Sequence, residues 1–392
     1  MDMRLITLAL GTFAIGTDSF VVAGILPEVS QSLDVSIEAA GQMITVYALA
    51  YALMTPVMAT LTAHWPRRRV LGSGLVVFTL GNVLTAIAPS FDLVLFARVL
   101  AGVGGAMFTP AASATAAALV PPESRGRALA VVMAGLSGAT ALGAPIGTLV
   151  GSVGDWRATM WLVVVLGVLA GLGIAIALPQ LAGSTRLPLR DRLAPLGDAR
   201  VAMTLITTLL VLGGLYTVYS YVSVVFDRAT GGDGSVLAAL IAIWGISATV
   251  GNLVAVSLTD RLGSRVVINL AIVVVGVDFA LMPLSSTTFL GSVVALVVWG
   301  LCGWGMLVPQ QHRLISIAPT LAPILLALNA ATIYVAVSVS GLLGAVTLQM
   351  AEPYNLGLVG AVLIFLGLGA AELAYEVIRK RQPSAVQPSQ IT

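Results

Sequence analysis

Residues 5–27 read LITLALGTFAIGTDSFVVAGILP, twenty-three residues whose one ionisable side chain is Asp18. About 20 apolar residues in an α-helix cross the hydrocarbon core of a bilayer, so this stretch is long enough to span. It does not read as a cleaved leader, because it carries an acid in its interior and ends in Pro27-Glu28 instead of a small-residue cleavage site. The same pattern continues through the chain. Further apolar runs lie near 38–62, 70–88, 93–119, 126–151, 158–179, 201–226, 236–259, 266–284, 289–311, 322–350 and 356–377, which makes twelve predicted spans.

Composition agrees. The 392 residues are 58% hydrophobic and 9% charged, with a mean hydropathy of +1.02, far more apolar surface than a soluble core hides. The charges are sorted into the short connections, and only Asp18, Arg98 and Asp278 sit well inside a run. One alternate set of connections and ends holds Arg4, Arg67, Arg68, Arg69, Arg125, Arg127, Arg186, Arg190, Arg192, Arg200, Arg261, Arg265, Arg313, Arg379, Lys380 and Arg381. The other set holds only Arg157 and Arg228, beside acids that include Glu28, Asp34, Asp92, Asp227, Asp233 and Glu352. Cytoplasmic loops carry the Lys/Arg excess, so both termini are expected in the cytoplasm. A net charge of +2 is a by-product of that asymmetry and gives no support for nucleic-acid binding.

A connection from 181 to 200, with Pro188, Pro195 and four arginines, divides the spans into a first half over 1–180 and a second over 201–378. A tail at 379–392 reads as disordered and cytoplasmic. The halves share a feature: Ala63-His64-Trp65-Pro66-Arg67-Arg68-Arg69 follows the second span, and Asp260-Arg261-Leu262-Gly263-Ser264-Arg265 follows the eighth. Paired six-helix halves around a midplane site are one standard plan of secondary transporters.

Several segments in order carry a resemblance: GTDSFVVAGILP at 16–27, AGQMITVYALAYAL at 40–53, RVLAGVGGAMFTPAASA at 98–114, GAPIGTLVG at 143–151 and DWRATMW at 155–161. Together they resemble the major facilitator superfamily, and within it the drug/proton antiporters close to arabinose-efflux and chloramphenicol-efflux permeases. The resemblance covers nearly the whole chain. It implies an all-α fold of twelve helices in two pseudo-symmetric halves, seated as a monomer in the bacterial inner (plasma) membrane. It also implies alternating access, with a small organic molecule and protons as the partners. The loop that usually reads G-x-x-x-D-R-x-G-R-R departs from the family, with Ala59, Ala63 and His64 at its Gly, Asp and Arg positions. The second copy keeps Asp260, Arg261, Gly263 and Arg265, so a charge latch built on this motif is expected to be weaker in the first half than in the second.

Depth selects candidates for proton coupling. Asp18 lies nine residues before Pro27, about 13 Å below the end of its helix, and Arg98 lies six residues after Asp92, roughly 9 Å deep. In the resembling fold the first and fourth helices line the central cavity, so an Asp18–Arg98 pair is expected there. Low dielectric favours the neutral carboxyl while a nearby cation favours the ionised one, so small movements switch its protonation. Arg98 tunes and does not carry the proton, since guanidinium keeps its charge. Related efflux proteins often bear the acid one residue later, at Ser19, which turns the group by about 100° around the helix. Asp278, at similar depth in a peripheral helix, reads as structural.

Substrate-binding candidates are Gln42, Thr45, Tyr47, Tyr51, Tyr216, Tyr219, Ser220, Gln310 and Asn329, a mixture of rings, hydroxyls and amides that suits a moderately polar organic molecule. For Tyr219, an interfacial belt competes with the cavity. Gly143, Pro145, Gly147 and Gly151 offer a small-residue face and a missing helix hydrogen bond, and the family motif they match is associated with contact between the halves. Arg67 and Arg68 complete the conformational motif. His312 beside Arg313 reads as a surface residue.

Other classes lack their machinery. Two histidines and one cysteine supply neither a metal-ligand cluster nor a disulfide, there is no phosphate-binding G-x-x-x-x-G-K-[ST], and Lys380 is the only lysine. No cofactor is expected and the chain does not read as an enzyme. A proton-coupled exporter of a drug-like organic compound is the leading reading, with a sugar or nucleoside efflux permease as the alternative.

Overall fold

A computed structural model describes residues 2–183 and 187–381. Among them every regular element is helical. Eleven helices are long and apolar enough to cross a membrane. In chain order these are α1 Met3–Gly24, α2 Ile37–Leu61, α3 Arg67–Ile87, α4 Phe91–Ala118, α5 Pro122–Val153 and α6 Trp156–Ala177, then α7 Ala199–Tyr219 and α8 Gly234–Leu262. Beyond α9 come α10 Phe289–Ile317, α11 Pro319–Leu348 and α12 Pro353–Lys380.

The twelfth crossing, α9, is Ser264–Ala280, only 17 residues, and a separate turn Met282–Ser285 follows it. The sequence pattern runs α9 on to 284, but Pro283 has no N–H to give and its ring crowds the carbonyl of residue 279, so the helix stops short. The last helix continues to Arg381. Arg186 and residues 382–392 of the expected tail lie outside the described residues.

Short capped turns join the helices. Asp2, Asp155, Asp198 and Asp233 each accept a backbone N–H at the start of α1, α6, α7 and α8, satisfying donors that a helix end leaves free. At Asp233 the two backbone N–H groups and the Ser235 hydroxyl hold the carboxyl below its usual range. Gly263, between α8 and α9, has φ of 78°, a conformation that a side chain resists.

Helices α1–α6 and α7–α12 form two halves, bridged by a segment whose short helix Leu189–Leu193 donates from Arg192 to the carbonyl of Ala59 at 3.1 Å. With little hydrophobic force between apolar helices in lipid, small residues set the closeness of packing. A Cβ at Gly104 of α4 would fall 2.6 Å from Phe78 Cα of α3, and one at Gly360 of α12 would fall 2.7 Å from the Gly214 carbonyl of α7.

The halves meet along two helix pairs. Thr45 of α2 packs on Gly341 of α11, while Ser152 and Thr140 of α5 pack on Gly234 and Gly245 of α8. These contacts lie in the middle of the bundle and towards the end away from the arginine-rich loops. At that end Tyr219 donates from α7 to the Phe20 carbonyl of α1 at 3.1 Å.

Backbone-to-backbone closeness predicts an intolerant site. Gly104→Leu is expected to cost about 1–3 kcal/mol through overpacking, read as a lower unfolding temperature of the purified protein in detergent; a melting temperature equal to wild type would refute the tight α3–α4 contact.

Candidate functional site

Asp18 and Arg98, eighty residues apart in sequence, form a buried ion pair. Arg98 Nη1 lies 2.6 Å from Asp18 Oδ1, and the two side chains are 1% and 0% exposed respectively. Arg98 also reaches Met43 O of α2 at 3.4 Å and lies over the Tyr47 ring, 4.4 Å from its centre. Asp18 Oδ2 is enclosed with no hydrogen-bond partner among the described residues. The pair is seated inside the first half, among α1, α2 and α4. It does not line an open central cavity. The cause is helical phase: Ser19, one residue on, faces the second half, with its Oγ 3.1 Å from the Tyr47 hydroxyl and 3.5 Å from that of Tyr334 on α11. The 100° between consecutive residues separates the carboxylate from the inter-half surface.

Aromatic rings cover that surface. Tyr334 stacks on Tyr51 at 3.7 Å, and Tyr47 lies 6.2 Å from Tyr51. Towards the end away from the basic loops, Phe20 of α1 meets Tyr219, Trp244 and Trp304 at 5.7, 6.2 and 6.2 Å. Tyr216 bridges Tyr219 and Trp304 at 5.9 and 6.1 Å. Tyr219 is buried and bonded to Phe20, so it belongs to this inter-half cluster and to no lipid-facing belt.

The other candidates divide. Gln310 and Asn329, read separately from the sequence, meet through Thr208: Gln310 Nε2 donates to Thr208 Oγ1 at 3.1 Å and to Thr204 O at 2.6 Å, and Thr208 donates to Asn329 Oδ1 at 3.0 Å. Gln42 spends its Nε2 on Glu38 O of its own helix at 3.0 Å. Thr45 and Ser220 are buried with unpartnered hydroxyl oxygens. Asp278 of α9 is half-buried with an enclosed, unpartnered Oδ2, and His312 is exposed, 3.0 Å from Ser264 Oγ.

The motif glycines pack somewhere other than the motif's association suggests. Gly143, Gly147 and Gly151 face Thr17 and Val21 of α1 and Ile25 just past its end, one turn at a time and within the same half. The face of α5 that touches α8 carries Thr140 and Ser152 instead. Pro145 explains the local shape. It cannot donate to the carbonyl of residue 141, and a π-helical turn over Ala139–Gly143 re-routes the ladder, with Ala144 N–H bonded to Ala139 O.

The two loop motifs differ as their residues suggest. Arg265 pairs with Glu372 of α12 and lies 4.0 Å from the Tyr375 ring centre. Arg68 donates to the Ala175 carbonyl and Arg67 N–H to Leu181 O, and neither arginine enters an ion pair among the described residues. Asp260 and Arg261 are exposed. No cluster of three or more metal-ligating side chains occurs among the described residues.

Sequence reading left Ser19, Phe20, Trp244 and Tyr334 unassigned. A faint signal existed for Tyr334, a lone phenol deep in an apolar helix.

Comparison with known proteins fits this architecture. The Major Facilitator Superfamily model matches residues 8–346. The chain belongs to the major facilitator superfamily. It is therefore a multi-pass membrane transporter and not an enzyme. It is 29% identical over 372 residues to the MFS-type transporter YbcL of Bacillus subtilis, covering 95% of each protein. It is 31% identical over 318 residues to the inner membrane transport protein YdhP of Escherichia coli K12, covering 81% of this chain and 82% of that one. It is also 34% identical over 271 residues to a chloramphenicol resistance protein of Streptomyces lividans, covering 68% and 69%. In fold it matches a bacterial homologue of the human lysosomal transporter Spinster, crystallised in an inward-facing and occupied conformation, with TM-score 0.74, 16% identity and coverage of 97% and 98%.

Removing one partner of a buried ion pair strands the other. Arg98→Met is expected to destabilise the protein by about 3–5 kcal/mol, and the double variant Asp18→Asn/Arg98→Met to recover most of that loss. Unfolding of wild type, Arg98→Met, Asp18→Asn and the double variant in detergent would measure the coupling; additive losses would contradict a direct pair.

Proposed function

We propose that this transporter is a proton-coupled exporter that moves a small, amphipathic organic compound outward by alternating access as protons enter. The observation that carries the reading is the Asp18–Arg98 pair, sealed between α1 and α4 with one carboxylate oxygen unpartnered among the described residues. Ionisable groups inside a membrane are costly and mark proton relays in transporters. Asp18 takes and releases the proton. Arg98, which keeps its charge, adjusts the carboxyl's affinity as the helices shift.

The inter-half surface supports the substrate class. It presents the rings of Phe20, Tyr51, Tyr216, Trp304 and Tyr334 and the hydroxyls of Ser19 and Tyr47, with no exposed charge among these residues. Amide anchors favour a sugar or nucleoside. Here Gln310 Nε2 and Asn329 Oδ1 are engaged with Thr208, which leaves Gln310 Oε1 as the enclosed amide oxygen of the pair without a partner among the described residues. The similarity to a chloramphenicol resistance protein weighs in the same direction.

Orientation follows the basic loops, with both termini cytoplasmic in the bacterial plasma membrane. The contacts between the halves then lie towards the outer side, which supports an inward-facing state. Each half closes over its own buried polar centre, so the chain acts as a monomer.

In everted vesicles, Asp18→Asn is expected to lose proton-driven uptake of chloramphenicol, or of whichever compound a resistance screen across drugs, sugars and nucleosides selects, while still binding it. Uphill transport by Asp18→Asn equal to wild type under an imposed pH gradient would sink the proton-carrier assignment.

A further inference from the structure

The ion pair and the moving surface do not touch. Asp18 and Arg98 are enclosed in the first half, yet a proton can shift a conformational equilibrium only through groups that differ between the two conformations. Something must connect the carboxyl to the second half.

Among the described residues one connection starts at Arg98 itself and reaches the second half through side chains. Arg98 lies 4.4 Å from the Tyr47 ring centre, and the Tyr47 hydroxyl is 3.1 Å from Ser19 Oγ. Ser19 Oγ is in turn 3.5 Å from the Tyr334 hydroxyl, and the Tyr334 ring stacks at 3.7 Å on Tyr51, one turn along α2 from Tyr47. Tyr47 and Tyr51 are 2% exposed, so these contacts are fixed by packing. Tyr334 is half-buried and belongs to the other half. It rests on α2 by its ring and on α1 by its hydroxyl.

We infer that Tyr334 is the positioning residue through which the second half responds to the charge on Asp18, by way of Arg98, Tyr47 and Ser19. This rests on Asp18 being the proton carrier. When Asp18 is ionised, its carboxylate holds the guanidinium at Nη1. When it is neutral, that attraction falls away and Arg98 is left with the Met43 carbonyl and the π face of Tyr47. A guanidinium that leans further onto the ring moves Tyr47, and the hydroxyl of Tyr47 shares Ser19 with Tyr334. Tyr334 then loses or regains its seat, and α11 with it. The titratable and charged groups acting around Asp18 are Arg98 from α4, Tyr47 from α2 and Tyr334 from α11. On α3, the Asn82 amide donates one N–H to Phe78 O at 3.1 Å and its other N–H acts on Asp18.

The test uses two readouts on the full chain in lipid nanodiscs without substrate. Infrared difference spectra follow the protonated-carboxyl stretch, assigned to Asp18 by its absence in Asp18→Asn. Spin labels follow the distance between the halves at the arginine-rich end. They are placed at Gly126, where a side chain meets nothing within 4 Å, and at exposed Leu321, with Cys302→Ser as background. In the wild type both signals change over the same pH range. In Tyr334→Phe, which keeps the stacked ring, and in Ser19→Ala, the carboxyl band still titrates and the distance change is lost. Thr332→Val, which removes a hydroxyl bonded within α11, keeps both.

A Tyr334→Phe protein whose distance follows pH as the wild type does overturns the inference while leaving Asp18 as proton carrier. So does one in which the band itself disappears. A distance that still follows pH in Asp18→Asn overturns the carrier assignment underneath it.

Discussion

One ion pair organises the first half of this transporter. Two charges removed from water and lipid are tolerable only if they meet each other with good geometry, and Asp18 and Arg98 do so at 2.6 Å. That requirement fixes the rotation of α1 against α4, brings the Met43 carbonyl of α2 to the guanidinium and lays the Tyr47 ring beneath it. Once Tyr47 is placed, Tyr51 follows one turn on and presents the face on which Tyr334 stacks. The aromatic surface between the halves is thus built outward from a charge it does not itself contain.

The second half is put together differently. Its buried polar groups include the guanidinium of Arg313, which donates to Ala371 O at 3.3 Å, and one turn before it an amide–hydroxyl–amide chain from Gln310 through Thr208 to Asn329 across α10, α7 and α11. Such a network holds its helices in register without changing with protonation. The halves thus differ in how a buried arginine is partnered, by a carboxylate in the first and by a backbone carbonyl in the second. At the loops the asymmetry reverses, since the ion pair of Arg265 with Glu372 has no counterpart at Arg67 or Arg68.

The fold was legible because a bilayer leaves few choices: an apolar run of the right length must be a helix. Some ends departed: α9 is shortened before Pro283, α7 stops at Tyr219 instead of near 226, and α10 runs on to Ile317 instead of stopping near 311. The Asp18–Arg98 pair was legible from depth, which needs nothing beyond 1.5 Å per residue. Direction was harder to read. Depth does not say which way a side chain points, so Asp18 was expected on the cavity and lies behind it, with Ser19 in front. The glycines of α5 illustrate the same gap: spacing marks a small-residue face but not which neighbour uses it, and here it is α1. Tyr334 went unassigned because a single phenol in an apolar helix acquires meaning only from Tyr47, Tyr51 and Ser19, which come from nearly three hundred residues away in sequence.

The π-helical turn at Ala139–Gly143 gives α5 two independent phases. An ordinary helix presents one continuous stripe to a neighbour, so serving α1 and α8 at once would force a compromise between them. The wider turn adds a residue without breaking the rod, and the segments on either side are rotated against each other as two gears keyed to one shaft. Above the turn Gly147 and Gly151 pack on Val21 and Ile25, while Ser152 meets Gly234 of α8. At the turn itself Thr140 meets Gly245 of α8. The extra residue lets one rod carry small residues against α1 and hydroxyl-bearing residues against α8 along the same length, so a helix of the first half serves a neighbour in each half.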